Sequence, residues 1–443
     1  MKKAFIQTFG CQMNEHDSQW MMELLSKENY SITAEPKEAD LIIINTCSVR
    51  ENPENKVYSL IGRLSKLKKN KPDLIIGVGG CVAQQEGESL LKRQKAVDLV
   101  FGTDNFFNLP KMLKEVNEGK RVVYTNWGQR EKKVQNFIPL EEISAGKVEG
   151  CQAMIAITKG CDNFCSFCIV PATRGRLVSR DLSNIIDEAK GLITKGAREI
   201  NLLGQNVNSY QAGTIDFYEL LKSVADLKGL LRLRFMSPHP NDWNNKLSDL
   251  MASNDVICNQ IHLPFQAGSD RILKLMRRGH SISEYLDKIG YLKDKIPTVG
   301  LSTDIIVGFP GETDEEFEMT LDVLKKVKFH KVYAFKYSAR PGTKAEILED
   351  DVAEGIKKIR LEKLLNLQDS IHNDLLEKFI NTHQTVLIEN AHPKLRGFMN
   401  GRTSEYVPVT INRASLEIGD YINVKITGRK ANSLEGEFID VVN

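Results

Sequence analysis

Short apolar runs alternate with amphipathic stretches along the first 120 residues. Residues 4–8, 41–45 and 74–78 are rich in Ile, Leu and Val, are bounded by turn residues, and read as buried strands. The intervening stretches 14–27 and 54–69 read as helices, the second with Pro53 at its start. A fourth strand near 97–101 and a helix over 106–118 complete the pattern. Strands alternating with helices predict a parallel sheet with crossover connections. The pattern then lapses over 121–150, a polar, glycine-bearing stretch that reads as a linker and includes Trp127, Gly128 and Ser144-Ala145-Gly146.

Strand-like runs return at 153–158, 199–203, 231–236, 260–263, 300–307 and 331–336. Helical stretches such as 182–195, 217–227, 283–293 and 314–328 separate them. Strand–helix units in this number predict an α/β barrel, complete or partial, with its site at the C-terminal strand ends. A long charged helix over 351–379 leads into alternating runs at 385–389, 406–411, 421–425 and 437–441, punctuated by Gly397, Gly401, Gly419, Gly428 and Gly436. That tail predicts a small antiparallel β-barrel. The expected architecture is therefore an α/β multidomain chain: a parallel α/β domain at 1–120, a linker at 121–150, a barrel domain at 151–380 and a small β-barrel at 381–443.

Composition narrows the class. The 443 residues are 41% hydrophobic and 27% charged, ordinary values for a globular chain, with a net charge of only +2. Bulk charge does not announce a nucleic-acid binder, and in the tail basic residues are matched by acidic ones. The apolar runs are strand-length and none approaches the roughly 18 residues of a membrane span. Lys2 and Lys3 are followed by Gln7, Gly10 and Gln12, which interrupt any signal-peptide core. A cytoplasmic protein is expected, in which eight cysteines are better explained by metal ligation than by disulfides.

Six of those cysteines form two sets. Cys161, Cys165 and Cys168 read CxxxCxxC directly after the first strand of the middle region. Three thiolates on one short loop suit three corners of an iron–sulfur cube, leaving one iron open. A zinc knot needs a second ligand pair within about 20 residues, whereas the nearest downstream histidine is His239. Cys11, Cys47 and Cys81 lie 36 and 34 residues apart, yet each follows a predicted strand of the first domain. Ligands of open parallel sheets bind beyond the carboxyl ends of the strands, so these three are expected to converge as a second three-ligand cluster site. Gly10 and Gly79-Gly80 would let backbone approach a bulky ligand there. Cys151 and Cys258 fit neither pattern and read as structural.

Other polar residues at predicted strand ends are Gln205, Asn206, Ser237 and Gln266, candidates for cofactor contact that could equally be ordinary loop residues. Arg174 and Arg176, just after the cysteine loop, are candidates for phosphate or substrate contact because a guanidinium matches phosphate with a bidentate fork. Arg180, and the group Lys274, Arg277 and Arg278, are further basic clusters. The segment Gly308-Phe309-Pro310-Gly311-Glu312-Thr313 lacks the lysine and spacing of a phosphate loop and reads as a strand-to-helix turn capped by Thr313.

The CxxxCxxC triplet, the added Cys11/Cys47/Cys81 set and the C-terminal barrel resemble the radical S-adenosylmethionine (SAM) methylthiotransferases along the whole chain. The segments Phe9-Gly10-Cys11-Gln12-Met13-Asn14, Thr46-Cys47-Ser48-Val49-Arg50-Glu51 and Gly160-Cys161-Asp162-Asn163-Phe164-Cys165 are similar to the branch that makes 2-methylthio-N(6)-isopentenyladenosine in tRNA. The resemblance implies a partial (β/α)6 radical-SAM barrel, a TRAM (OB-like) barrel, two 4Fe-4S clusters, and SAM chelated at the open iron of the Cys161/Cys165/Cys168 cluster. Cleavage of SAM would give a 5′-deoxyadenosyl radical, and the Cys11/Cys47/Cys81 cluster would bring the sulfur. The implied partners are the tRNA anticodon stem-loop, a low-potential electron donor and sulfur or cluster donor proteins, with no membrane. Methylthiotransferases for threonylcarbamoyladenosine or for a ribosomal-protein aspartate share every cysteine. A reading of another class, a non-catalytic iron–sulfur RNA-binding protein, needs only one cluster. Ala172 departs from the family wording, where tyrosine is expected.

Overall fold

The computed structural model describes residues 1–48, 51–127 and 146–442. Most of the predicted linker, together with Val49 and Arg50, lies outside them.

The N-terminal domain is a six-stranded, wholly parallel sheet. Its spatial order is Tyr30–Ile32, Lys2–Thr8, Leu41–Thr46, Ile75–Gly80, Leu99–Phe101, Val122–Tyr124. The two central strands, Leu41–Thr46 and Ile75–Gly80, are buried along their whole length, as continuous apolar runs in a parallel sheet should be. Two strands escape the sequence pattern. Val122–Tyr124 pairs with Leu99–Phe101 inside the stretch read as linker, and Tyr30–Ile32 pairs with the far edge of Lys2–Thr8. Each is only three residues long, too short to show a period.

The second of these matters for function. Because Tyr30–Ile32 lies on one side of the first strand and Leu41–Thr46 on the other, the strand order reverses between them. That creates a topological switch point, where the loops diverge and a crevice opens. Cys11 follows one of the two flanking strands and Cys47 the other.

The central domain carries six parallel strands at Gln152–Ala156, Glu199–Leu203, Arg232–Phe235, Gln260–His262, Gly300–Val307 and Lys331–Lys336. The first three pair in one sheet and the last three in another, joined by a bridge between Leu233 and Ile257. Among the described residues no pairing joins the last strand to the first, so the barrel is partial. Its open side is faced by the N-terminal helix Gln12–Lys27. Met13 packs with Ala156 and Leu203, Asn201 Nδ2 donates to Gln12 Oε1 (3.2 Å), and Gln19 Nε2 donates to Glu149 Oε1 (3.1 Å). The segment 308–313 is the turn the sequence suggests: Thr313 caps Asp314–Val327 in a reciprocal capping box with Glu316.

The tail is a closed five-stranded barrel of His383–Ala391, Phe398–Arg402, Pro408–Asn412, Ser433–Val441 and Tyr421–Lys430. It is not wholly antiparallel: Pro408–Asn412 and Ser433–Val441 run parallel, and that pairing closes the ring. Two arginines at the foot of the central barrel hold it. Arg232 Nη2 donates to Thr385 O (3.0 Å); Arg234 donates to the carbonyls of Ser404 (3.0 Å) and Thr403 (3.1 Å) and pairs with buried Glu199 (3.1 Å).

Candidate functional site

The first cysteine set forms at the switch point. Cys11 caps the helix Gln12–Lys27, Cys47 directly follows its strand, and Cys81 opens the helix Cys81–Glu86. Cys11 is exposed, whereas Cys47 and Cys81 are buried. The loops meet closely. Gly10, at φ +133°, has no room for a side chain, because a Cβ there would lie 2.5 Å from Cys47 Cβ. The glycine thus serves the approach of one cysteine loop to the other. Asn14 and Asn45 tie the loops together. Asn14 Nδ2 donates to Thr46 O (2.8 Å) and Asn45 Nδ2 to Asn14 O (2.8 Å) and Ser18 Oγ (2.9 Å).

The second set sits on the loop after the first central strands. Its entry is fixed by Gly160, at φ +76°, whose Cβ would lie 2.1 Å from Arg176 O. The Gly160 amide donates to Gln205 Oε1 (2.6 Å), and the Cys161 amide donates to Gly175 O (3.1 Å). Arg176 grips Asp162 with both ends of its fork (2.6 and 3.2 Å) and covers the Phe164 ring at 4.9 Å. Arg278 is buried, donates Nη1 to Cys165 Sγ (3.3 Å), and anchors through Nη2 on Pro264 O (2.7 Å).

The two sets are joined through a buried ion pair. The helix Val170–Arg174 begins two residues after Cys168 and packs against the Cys81 helix, with Thr103 Oγ1 donating to Thr173 O (2.8 Å). Its last residue, Arg174, is 4% exposed and pairs with Asp17 (2.9 Å), itself 2% exposed, while also donating to Asn14 Oδ1 (3.1 Å). Its positive charge acts on the Cys81 thiol.

Electrostatics separate the thiols. A hydrogen bond with Cys47, helped by the Arg174 charge, lowers the Cys11 thiol to about 6, so it is a thiolate at neutral pH. Burial raises Cys81, with Arg174 opposing. Burial likewise pushes Cys161 up to about 11 and Cys168 to about 12. Those two give up their protons when a cation replaces them.

The candidates resolve differently. Gln205 props the cysteine loop. Asn206 donates Nδ2 to Asp242 (2.8 Å), and its buried Oδ1 has no partner among the described residues. Ser237 and Gln266 are non-glycine residues in left-handed backbone, at φ +60° and +74°, each just beyond a barrel strand. Such strain persists only where the surroundings impose it. Arg174 is no phosphate ligand, since it is sealed against Asp17, and Arg176 is committed to Asp162. Arg180 is fully buried against Glu188. Ala172 is exposed on its helix. Sequence reasoning missed Asn14, Asn45 and Arg278. The signal for Asn45 was present as the one amide ending an apolar strand; Arg278 was hidden in a basic cluster read as solvated.

A cavity of about 450 Å³ fills the barrel interior. It reaches Gln12 and Met236, the neighbours of Cys11 and Ser237, and its foot is walled by the C-terminal barrel at Tyr406. Asn201 Oδ1, Gln368 Oε1 and Glu405 Oε2, all lining it, are buried without a partner among the described residues.

Comparison with known proteins fits this arrangement. The model of the uncharacterized protein family UPF0004 matches residues 3–102, that of the Radical SAM superfamily 155–324 and that of the TRAM domain 377–439. The tRNA-2-methylthio-N(6)-dimethylallyladenosine synthase of Aquifex aeolicus is 42% identical over 100% of this chain and 99% of that protein. The synthase of Hahella chejuensis is 41% identical over 99% of each. The chain belongs to the tRNA-2-methylthio-N(6)-dimethylallyladenosine synthase family. Among solved structures, the radical SAM methyltransferase TsrM of Kitasatospora setae, with cobalamin and a [4Fe-4S] cluster bound, superposes with a TM-score of 0.55 at 15% identity, covering 78% of this chain and 74% of that one. That likeness shows the fold.

A synthase of this family is a radical SAM enzyme, with 4Fe-4S clusters and SAM as cofactors. The residues present fit such groups. Each set offers three thiols, and Arg278 places a donor against Cys165 Sγ. No group of three His, Cys, Asp or Glu among the described residues is drawn together as single-ion ligands. A cube instead spreads its thiolates over separate irons. No helix among the described residues is long and apolar enough to cross a membrane.

Proposed function

We propose that this chain replaces the hydrogen at carbon 2 of N(6)-isopentenyladenosine, 3′ to the tRNA anticodon, with a methylthio group. The observation that carries the reading is the pairing of two three-cysteine sets, joined by the Arg174–Asp17 ion pair, in a chain full-length similar to synthases of that name. Cys161, Cys165 and Cys168 are assigned to the SAM-binding cluster and Cys11, Cys47 and Cys81 to the auxiliary one. When bound, the clusters and SAM supply the radical that removes the hydrogen and the sulfur and methyl that replace it.

The chain supplies position and dryness. Gln205 and Arg176 hold the Cys161 loop; Arg278 fixes Cys165. Ser237, Gln266 and the unpaired Asn206 Oδ1 line the strand ends where SAM is proposed to lie. The cavity matches the two chemistries of a prenylated nucleoside. Met154, Met236 and Val332 offer apolar contact, and Asn201, Gln368 and Glu405 offer acceptors. A base splayed from an RNA loop can enter such a chamber. The C-terminal barrel beside it is assigned to the anticodon stem-loop. A low-potential electron donor, a sulfur or cluster donor, a cytoplasmic location and the domain division at 120, 150 and 380 belong to the same proposal.

Mass spectrometry of tRNA nucleosides from a strain lacking this protein tests it. Loss of 2-methylthio-N(6)-isopentenyladenosine, with its unthiolated precursor accumulating, is expected. Its persistence, with loss of the threonylcarbamoyl counterpart, would overturn the substrate assignment.

A further inference from the structure

The barrel domain sends one charged side chain into the other domain's cysteine set. Arg174 ends the helix that follows Cys168, yet its guanidinium is sealed among N-terminal residues. It meets Asn14 Oδ1 at 3.1 Å and Asp17 Oδ2 at 2.9 Å, and its charge acts on the Cys81 thiol. Asn14 Oδ1 in turn lies 3.4 Å from Cys11 Sγ. Asp17 is also within reach of Lys159, two residues before Cys161, whose ammonium lies over the Phe106 ring at 5.1 Å. A cation and an anion are thus buried side by side next to one cysteine set.

Buried charges are weakly screened. The potential of an iron–sulfur cluster responds to its net charge environment, to hydrogen bonds on its sulfurs and to solvent exposure. We propose that Arg174 is a positioning residue for the auxiliary cluster, holding beside the cysteine set, through Asn14, a buried positive charge that makes this cluster easier to reduce, while Asp17 orients the guanidinium and offsets part of that charge. The electrostatics of the auxiliary cluster are then complete only when the radical domain is docked. This rests on the assignment of Cys11, Cys47 and Cys81 as cluster ligands.

The test uses the full chain carrying Cys161→Ala, Cys165→Ala and Cys168→Ala, reconstituted anaerobically so that the auxiliary cluster alone fills. Iron is counted, and the potential is read by EPR-monitored titration with dithionite. The parent should hold about four irons. Arg174→Gln should move the potential negative and Asp17→Asn should move it positive, while Arg174→Lys stays nearer the parent than Arg174→Gln. A purely structural ion pair predicts shifts of the same sign for Arg174→Gln and Asp17→Asn, or none, and either result overturns the proposal. Should Arg174→Gln hold no iron, Asp17→Asn and Arg174→Lys decide, and a negative shift in both overturns it. A parent without iron overturns the ligand assignment itself; iron retained with an unmoved potential in Arg174→Gln overturns only the role of Arg174.

Discussion

A thiol becomes an iron ligand by losing its proton, and the six cysteines are not equally ready to do so. Cys11, held near 6, is prepared, whereas Cys161 and Cys168 are half-buried and stay protonated until a cation arrives. The two sets make different predictions. Cys165→Ala removes a ligand of the SAM-bearing cluster, so reductive cleavage of SAM should fall to background; retained cleavage refutes that assignment. Cys47→Ala should leave cleavage intact and abolish methylthio product, and product from that variant refutes the auxiliary role. These cysteines were legible from residue type and from position after predicted strands. Arg174 was not, because its partner Asp17 lies 157 residues away and burial cannot be read from a local run of charge.

Among the elements, the main strands and helices were visible because long buried runs and amphipathic periods survive in sequence. The strands 199–203, 300–307 and 331–336 emerge with the bounds the pattern gives. Three-residue edge strands carry no period, and Phe398–Arg402 was obscured by Asn400 and Gly401 in its middle. The missed strand Tyr30–Ile32 makes the switch point beside Cys11 and Cys47, so the convergence of the cysteines could be argued while its topological cause stayed hidden. Docking of the C-terminal barrel is likewise a matter of element contact. Arg234→Ala leaves the buried Glu199 charge with only the Gln152 amide as its partner, and loss of the cation from such a pair costs about 3–5 kcal/mol. Urea denaturation should show a midpoint shift of that size, and a shift under about 1 kcal/mol contradicts the account. Thr313→Ala, which removes half of a capping box, should cost only about 1 kcal/mol in the same assay.

The whole molecule has a built-in acid sensitivity. Burial first, then neighbouring positive charge, lowers His239 to about 2; burial, then His372 and nearby lysines, lowers His330 to about 4. Between about 6.5 and about 4 both therefore bind protons only in the unfolded chain. Their contribution to stability is present above that pH and is lost as pH falls, by at most about 1.4 kcal/mol per pH unit for each withheld proton. The urea midpoint of the apo chain should fall between pH 7 and 5, and less steeply in His330→Phe; an equal slope contradicts the assignment. The overall design joins one cysteine set on a parallel sheet to another on a partial barrel across a buried charge pair. Its central claim is that both sets carry clusters in one working enzyme. The direct measurement is the iron content of the anaerobically reconstituted full chain, with SAM cleavage assayed in the same sample. About eight irons per chain and reductive cleavage are predicted; about four irons and no cleavage would contradict the account.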